Sequence, residues 1–341
     1  MKSINFSTLS VNEIRSDEFQ ILQENACKND LERLHKSLSD FVSVGCPACG
    51  DQKSYFRFEK YKCKFLECDN CATLYMSPRP TPEIMHEYYS KSENYEIWNK
   101  FIFPKSESNR REKICRPNLV RLINECKRLN INDATFLEIG AGFGTFALLA
   151  KDSGFFSRVE VVERTPDMST ACRAKGLNVI ESAFEEIEHE MFKPVDVVAC
   201  FEVIEHVFDP YEFLKCINKV LKVGGLLFFT CPNGKGFDTE MLGYDSPSVD
   251  NEHVNLFNPH SIAILLVRAG FEVLFIETPG RLDCELVRRA AIANKVDFTG
   301  TPFWNKIFIN DYEKYGANFQ NFLTDNNLSG SMRIITRKLL Y

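Results

Sequence analysis

Four cysteines in the N-terminal part of the chain have the spacing of a metal site. They form two Cys-x-x-Cys pairs and are Cys46, Cys49, Cys68 and Cys71. Each pair can direct two thiolates at one ion, and four thiolates complete the tetrahedral set that zinc prefers. A redox pair or a disulfide framework is the alternative for the same residues. We predict a closed, structural zinc ribbon, with Cys63 as a core or bystander thiol.

A glycine-rich turn, Gly140-Ala141-Gly142-Phe143-Gly144, is the second chemical feature. Glycines accept positive φ and let a ligand approach the backbone without a Cβ in the way. Glu138 stands just before the turn, where its carboxylate can receive an ammonium group or order the loop amides. Glu163 ends the next apolar stretch, at the position of an acid that holds ribose hydroxyls. Such turns occur in many nucleotide-binding units, and the two acids make the prediction more specific.

Two histidines could accept a proton. His206 ends the segment Phe201–His206, which follows a buried apolar stretch, and His253 lies in the later segment Asn251–Phe257. We expect both to border one cleft, because ligands bind at the carboxyl ends of the strands in open α/β sheets. Each histidine could equally be a hydrogen-bonded structural residue.

The elements that position these residues alternate between strand and helix from residue 134 onward. The predicted strands lie at 136–139, 159–162, 177–180, 195–200, 226–230, 271–276 and 332–337. This alternation predicts an α/β fold with a parallel, seven-stranded sheet. Residues 281–330 are too long for a plain loop, and they predict a helical insertion that is a cap, an oligomer contact or a substrate lid.

The front of the chain divides into three predicted segments. Helices lie within 1–40, the zinc ribbon spans 41–80, a helical linker or lid spans 81–130, and the sheet domain takes 131–341. The linker has an aromatic group that is either core or the roof of a pocket: Tyr88, Tyr89, Tyr95 and Trp98. It also has a basic group that is either a solvated face or a site for an anionic substrate: Lys105, Arg110, Arg111, Lys113 and Arg116.

Composition argues against several classes of protein. The 341 residues carry a net charge of −6, whereas a nucleic-acid binder usually shows a basic face. No apolar run is long enough to span a bilayer, and the N-terminus lacks the order of a signal peptide. Thirteen cysteines then indicate a reducing compartment. We expect a soluble cytoplasmic protein with a small-molecule substrate, and its oligomeric state stays open.

Together the motifs resemble those of class I S-adenosylmethionine-dependent methyltransferases over residues 131–280. The segments that carry the resemblance are Leu137–Gly144, Glu163, Phe201–His206 and Leu221–Gly225. It implies a Rossmann-like domain that binds S-adenosylmethionine. Residues 202–206 resemble the ubiquinone-biosynthesis O-methyltransferases, and the cysteine-rich front end resembles zinc-bearing methyltransferases of deoxysugar and surface-polysaccharide pathways.

The resemblance assigns residues to the cofactor. They are Glu138, Gly140, Gly142, Gly144, Glu163, Phe184 and Glu202. The glycines would pass beneath the methionine part, with Glu138 near its ammonium and Glu163 on the ribose. Many relatives have an acid for the adenine where this chain has Phe184, which implies backbone contacts and stacking.

The resemblance also implies a methyl acceptor, which we expect to be a sugar hydroxyl on an anionic or nucleotide-linked precursor. His253 would take the hydroxyl proton, with His206 or Glu205 as the alternative base. Glu202, Glu205 and His206 could instead hold a divalent cation, or form a polar helix start. A C- or N-methyltransferase and an RNA methyltransferase are the competing functions.

Overall fold

The computed structural model describes residues 9–188 and 192–339. The chain forms two compact units, each made of several stretches. The ribbon unit comprises Met1–Ser106, Pro232–Ser261 and Glu277–Met332, and the sheet unit comprises Glu107–Cys231, Ile262–Ile276 and Arg333–Tyr341. This division differs from the consecutive segments that the sequence predicted, because the 281–330 insertion groups with the N-terminal part of the chain.

The strands confirm the predicted α/β class. They are β1 (Ser54–Lys60), β2 (Cys63–Cys68), β3 (Leu74–Met76), β4 (Ala134–Ile139), β5 (Phe156–Val162), β6 (Asn178–Ile180), β7 (Val195–Phe201), β8 (Leu221–Pro232), β9 (Asn255–Leu256), β10 (Phe271–Glu277) and β11 (Ser331–Lys338). A seven-stranded sheet has the order β10-β11-β8-β7-β4-β5-β6. Its central pairs, β4 with β5, β4 with β7 and β7 with β8, are parallel.

Fourteen α-helices are described. They are α1 (Val11–Ile14), α2 (Gln20–Leu34), α3 (Pro82–Lys91), α4 (Glu93–Ile97), α5 (Phe103–Arg110), α6 (Arg116–Arg128), α7 (Thr145–Asp152), α8 (Pro166–Ala174), α9 (Pro210–Val220), α10 (Phe237–Leu242), α11 (Pro259–Arg268), α12 (Asp283–Ile292), α13 (Pro302–Asn305) and α14 (Tyr312–Asp325). Capping explains why α3 begins where it does: the Thr81 side chain accepts a hydrogen bond from the Ile84 amide, and Pro82 occupies the first turn. In the part of the chain that the structure describes, no helix is long and apolar enough to cross a membrane.

The sheet unit is held together by an apolar core on the strands that carry the glycine turn. Phe136 of β4 packs against Phe146 of α7 and Phe156 of β5, with ring centroids 6.0 and 4.9 Å apart. Leu122 of α6 and Phe228 of β8 belong to the same fully buried cluster. Continuous apolar strands are expected in a parallel sheet that is covered on both faces.

The ribbon unit contains a small antiparallel sheet with the order β1-β2-β3-β9. The last strand comes from a distant part of the chain, since Leu74 pairs with Leu256 and Tyr75 with Asn255. Cys63 lies in the core beneath this sheet, as predicted for a thiol that is not a metal ligand.

The insertion contains helices, and its buried acid Asp283 lies beside a second buried acid, Asp238 of α10. Asp283 accepts hydrogen bonds from the Gly330 amide (2.5 Å) and from Gln320 Nε2 (2.8 Å). Asp238 lies beside Asp283, and burial followed by the charge of Asp283 raises the pKa of Asp238 to about 7. Because Asp283 receives the donors, we assign the neutral, protonated form to Asp238.

Candidate functional site

Three glycines in the sheet unit build the turn after β4. Gly140, Gly142 and Gly144 have φ values of 70°, 55° and 69°. A Cβ on Gly140 would lie 2.7 Å from Cγ2 of Val203, and one on Gly144 would lie 2.7 Å from Cδ1 of Leu177. Both conformation and space therefore require glycine at these two positions.

Two buried acids flank this turn. Glu138 is 3% exposed, and its Oε2 has no hydrogen-bond partner among the described residues. Burial, with a contribution from Glu163, raises the pKa of Glu138 to about 8, against the opposing effect of the Ala147 amide. Glu163 is 4% exposed and accepts hydrogen bonds from the amides of Gly142 and Thr165, both at 2.8 Å. A cation bound here would favour the charged form of both acids.

An ion pair between Lys175 and Glu107, which the sequence did not predict, contacts the glycine turn. Lys175 Nζ donates to the Phe143 carbonyl oxygen at 2.9 Å and forms an ion pair with Glu107. Glu107 also accepts a hydrogen bond from Thr145 Oγ1 at 3.1 Å. These contacts connect α5 and the end of α8 to the start of α7, and no local sequence pattern indicates them.

Two residues assigned to the cofactor have other contacts in the structure. Phe184 is 3% exposed, and its ring packs edge-to-face against Phe213 with centroids 5.9 Å apart. Stacking of this ring on adenine stays a prediction, and the contact with Phe213 leaves little of its surface for it. Glu202 is exposed, has a φ of 54°, and accepts a hydrogen bond from Thr230 Oγ1 at 2.6 Å.

The structure brings together two of the three residues proposed for a divalent cation in the sheet unit. Glu205 is fully buried, and its Oε1 lies 4.0 Å from His206 Nε2. Glu202 does not join them in a group of three metal ligands within residues 9–188 and 192–339. Its carboxylate is held by Thr230 instead.

Comparison with known proteins identifies the sheet unit. Residues 107–275 match the family described as "Methyltransferase domain". A ubiquinone biosynthesis O-methyltransferase of Xylella fastidiosa (strain M23) is 27% identical over 169 residues, which cover 46% of this chain and 68% of the relative. Another of that name, from Caulobacter vibrioides, is 35% identical over 103 residues, which cover 29% and 41%. Residues 107–275 form a class I S-adenosylmethionine-dependent methyltransferase domain.

A solved structure has the same fold. It is a chain of the complex between the Haloferax volcanii Trm112 methyltransferase activator and a methyltransferase, with a TM-score of 0.50 and 15% identity, covering 72% of this chain and 98% of that one. The residues of the sheet unit fit the methyl donor, which carries a sulfonium and an ammonium charge. The uncompensated oxygen of Glu138, buried beside the glycine turn, suits a cation.

The four predicted zinc ligands of the methyltransferase lie together in the ribbon unit. Their sulfur atoms are all within 4.8 Å of one another, with Cys46 and Cys71 at 3.4 Å and Cys49 and Cys68 at 3.5 Å. All four are free thiols rather than disulfides. Four thiols that converge from two Cys-x-x-Cys turns fit one tetrahedral zinc ion.

A loop before β9 places His253 in a defined orientation. Asp250 Oδ1 accepts hydrogen bonds from the amides of Glu252 (2.8 Å) and His253 (2.7 Å). Nδ1 of His253 lies 3.0 Å from the Ser248 carbonyl oxygen and 3.2 Å from Asp250 Oδ2. Two acceptors at Nδ1 assign its proton to that nitrogen, so Nε2 is the basic nitrogen of the ring.

Tyrosines of α3 and α4 adjoin this loop within the ribbon unit. Tyr88 donates a hydrogen bond to Glu252 Oε1 at 3.1 Å. The ring of Tyr89 packs edge-to-face against Tyr88 and Tyr95, at 5.5 and 5.3 Å. Burial, followed by the charge of Asp250, raises the pKa of Glu252 to about 7. The sequence analysis named His253 and the tyrosines as candidates, but it did not relate them to each other. It gave no role to Asp250 or to Glu252, although Glu252 directly precedes His253.

The predicted basic group has acidic neighbours. Lys105 pairs with Glu18 at 2.7 Å, and Arg116 pairs with Glu112 at 2.6 Å. Both pairs are exposed, which favours a solvated face over an anion site for these two residues.

Proposed function

We propose that this methyltransferase transfers a methyl group to a hydroxyl of a sugar, carried on a nucleotide or polysaccharide precursor. The observation that carries the proposal is the group of Tyr88, Glu252 and His253 in the ribbon unit. It combines an aromatic face and a hydrogen-bonding carboxylate with a fixed imidazole. Aromatic side chains offer apolar faces and polar tips, and a sugar ring has the complementary pair of surfaces.

In this proposal His253 is the general base. Its Nε2 takes the hydroxyl proton while the acceptor oxygen attacks, and Asp250 stabilises the imidazolium that forms. Tyr88 and Glu252 orient the acceptor through hydrogen bonds. The bound methyl donor supplies an electrophilic carbon on sulfur, and breaking the carbon–sulfur bond leaves S-adenosylhomocysteine and the methyl ether.

The remaining predicted residues support these steps without taking part in proton transfer. Glu138 and Glu163 would bind the ammonium and the ribose of the methyl donor, beside the glycine turn. The four cysteines would hold a zinc ion that has no open position, so its role would be structural. A cation near Glu205 and His206 has weaker support, since Glu202 is bonded elsewhere.

The relatives support oxygen as the methylated atom but do not identify the acceptor. Two of them are ubiquinone biosynthesis O-methyltransferases, and the stronger match covers 46% of this chain. More than half of the chain thus lies outside that match, and the acceptor of those relatives cannot be carried over. A nitrogen acceptor that is neutral when it attacks needs no base, which distinguishes it from a hydroxyl.

Product analysis tests the proposal. The full chain is incubated with S-adenosylmethionine and, separately, with nucleotide-linked sugars, simple amines, phenols and tRNA. Mass spectrometry should detect one added methyl group on a sugar oxygen, and fragmentation should locate it. Methylation of tRNA or of an amine alone, with every sugar unchanged, would contradict the sugar assignment.

A further inference from the structure

Arg15, the residue that follows α1, stacks on an aromatic ring. Among the described residues it makes no salt bridge, and its backbone amide donates to the Val11 carbonyl oxygen. Its side chain instead lies over the ring of Trp98, with Cζ 4.8 Å from the ring centroid. Stacking holds a guanidinium in place and leaves its five N–H donors for other partners.

The segment that carries Arg15 is tied to the insertion on both sides of this residue. The Val11 amide donates to Glu285 Oε2 at 2.9 Å, and Asp17 pairs with Arg289 at 2.8 Å. Arg289 and Glu285 also pair with each other along α12, at 3.0 Å. Helix α12 therefore fixes the backbone that presents Arg15.

Ring contacts connect the helix before Trp98 to the loop that holds His253. Tyr95 packs against Tyr89, and Tyr89 packs against Tyr88. Tyr88 in turn donates a hydrogen bond to Glu252. Asp250 acts on the pKa of Arg15, although burial has the larger effect and lowers it. The arginine is nonetheless exposed to solvent. Trp98 directly follows α4, the helix of Tyr95. The stacked guanidinium and the tyrosines thus belong to one polar, aromatic region of the ribbon unit.

We infer that Arg15 binds an oxyanion of the acceptor, a phosphate or a carboxylate group, and so selects charged acceptors. The planar guanidinium suits both groups because it can donate two parallel hydrogen bonds. The charge of Asp250 is already engaged by two amides and by His253, which leaves Arg15 for a ligand. The inference rests on the proposed acceptor site, and it gives the insertion a role: α12 positions a specificity residue.

Calorimetry with two probes tests the inference and separates the two oxyanions. Inorganic pyrophosphate and glucuronate are titrated into the full chain saturated with S-adenosylhomocysteine. Wild type should bind one probe more tightly, and Arg15→Gln should weaken that binding about tenfold or more, as expected for loss of a charge-assisted pair. The probe affinity of Arg15→Lys should lie between those of wild type and Arg15→Gln. Lysine keeps the positive charge but cannot donate two parallel hydrogen bonds.

Two further variants show where the probe binds. Arg116→Gln, a matched loss of a guanidinium from the basic group, should leave probe affinity unchanged. The chain has two tryptophans, so Trp304→Phe leaves Trp98 as the sole tryptophan. Under excitation selective for tryptophan, the probe should change the fluorescence of Trp98 only when Arg15 is present. Equal melting temperatures of wild type and Arg15→Gln exclude unfolding as the cause of weaker binding.

The outcomes are distinct. Failure of both probes to bind, or equal binding by Arg15→Gln, would overturn the inference, and loss of binding in Arg116→Gln would assign the oxyanion to the basic group. Arg15-dependent binding without methylation of any sugar would refute the proposed acceptor and leave the oxyanion site in place.

Discussion

Binding of the methyl donor should release a proton from Glu138. This carboxyl group is buried beside Glu163, its Oε2 is uncompensated, and its pKa in the ligand-free site is about 8. At pH 7 it is therefore about one-tenth ionised, and at pH 6 about one-hundredth. If the cation requires the ionised form, binding at pH 7 should release about 0.9 proton, and the Kd should rise about tenfold from pH 7 to pH 6.

Titration calorimetry in two buffers of different ionisation enthalpy measures the released protons directly. Glu138→Gln should abolish the release and the pH dependence, and should weaken binding about tenfold to a hundredfold through loss of the charged partner. Glu160→Gln, a partly exposed acid on β5, is the matched control and should behave like wild type. Binding by wild type with no proton release and equal Kd values at pH 6 and 7 would refute the reasoning. Full release by Glu138→Gln would transfer the role to Glu163.

Three further predictions follow from the same structure. Cys68→Ser should reduce the zinc content, measured by elemental analysis, from one ion per chain to well below one. The control variant Cys63→Ser should keep its zinc. A stable wild type without metal would contradict the zinc ribbon. Lys175→Met should raise the Kd for S-adenosylmethionine about fivefold by loosening the glycine turn, with Lys219→Met as the control, and an unchanged Kd would make this ion pair dispensable. Asp238→Asn should flatten the dependence of stability on pH. The pKa of Asp238 rises from 3.8 to about 7 on folding, so wild type loses stability as the pH rises through this window, and the variant should melt at a higher temperature at pH 8 and similarly at pH 4. If the melting temperatures of wild type and Asp238→Asn changed with pH in the same way, Asp238 would be ionised in the folded protein, against this prediction.

Local patterns in the sequence predicted the parts of the fold that depend on neighbouring residues. Apolar stretches gave the seven strands, and the positive φ of Gly140 follows directly from its place in a glycine turn. The spacing of each Cys-x-x-Cys pair likewise brings its two sulfur atoms to the same side of a tight turn. The helix start at Thr81 and Pro82 depends on a single turn, so residues close in sequence determine it.

Contacts between distant parts of the chain could not be predicted in this way. Tyr88 meets Glu252, and Lys175 meets Glu107, across long sequence separations that carry no periodic signal. Phe184 illustrates a different difficulty. Phe184 follows the third strand of the sheet in sequence, but its packing against Phe213 decides which way the ring points, and a sequence pattern does not contain that information.

The rate of methyl transfer by His253→Ala tests the central claim most directly. With the acceptor identified by product analysis, single-turnover rates are compared for wild type, His253→Ala and His260→Ala. His260 is exposed, and its backbone amide donates to Asn258 Oδ1, so it is the matched control. The account predicts a loss of about 10²–10⁴-fold for His253→Ala with unchanged affinity for S-adenosylmethionine, as expected when one general base is removed. Wild-type turnover by His253→Ala would show that this histidine is structural and would contradict the account.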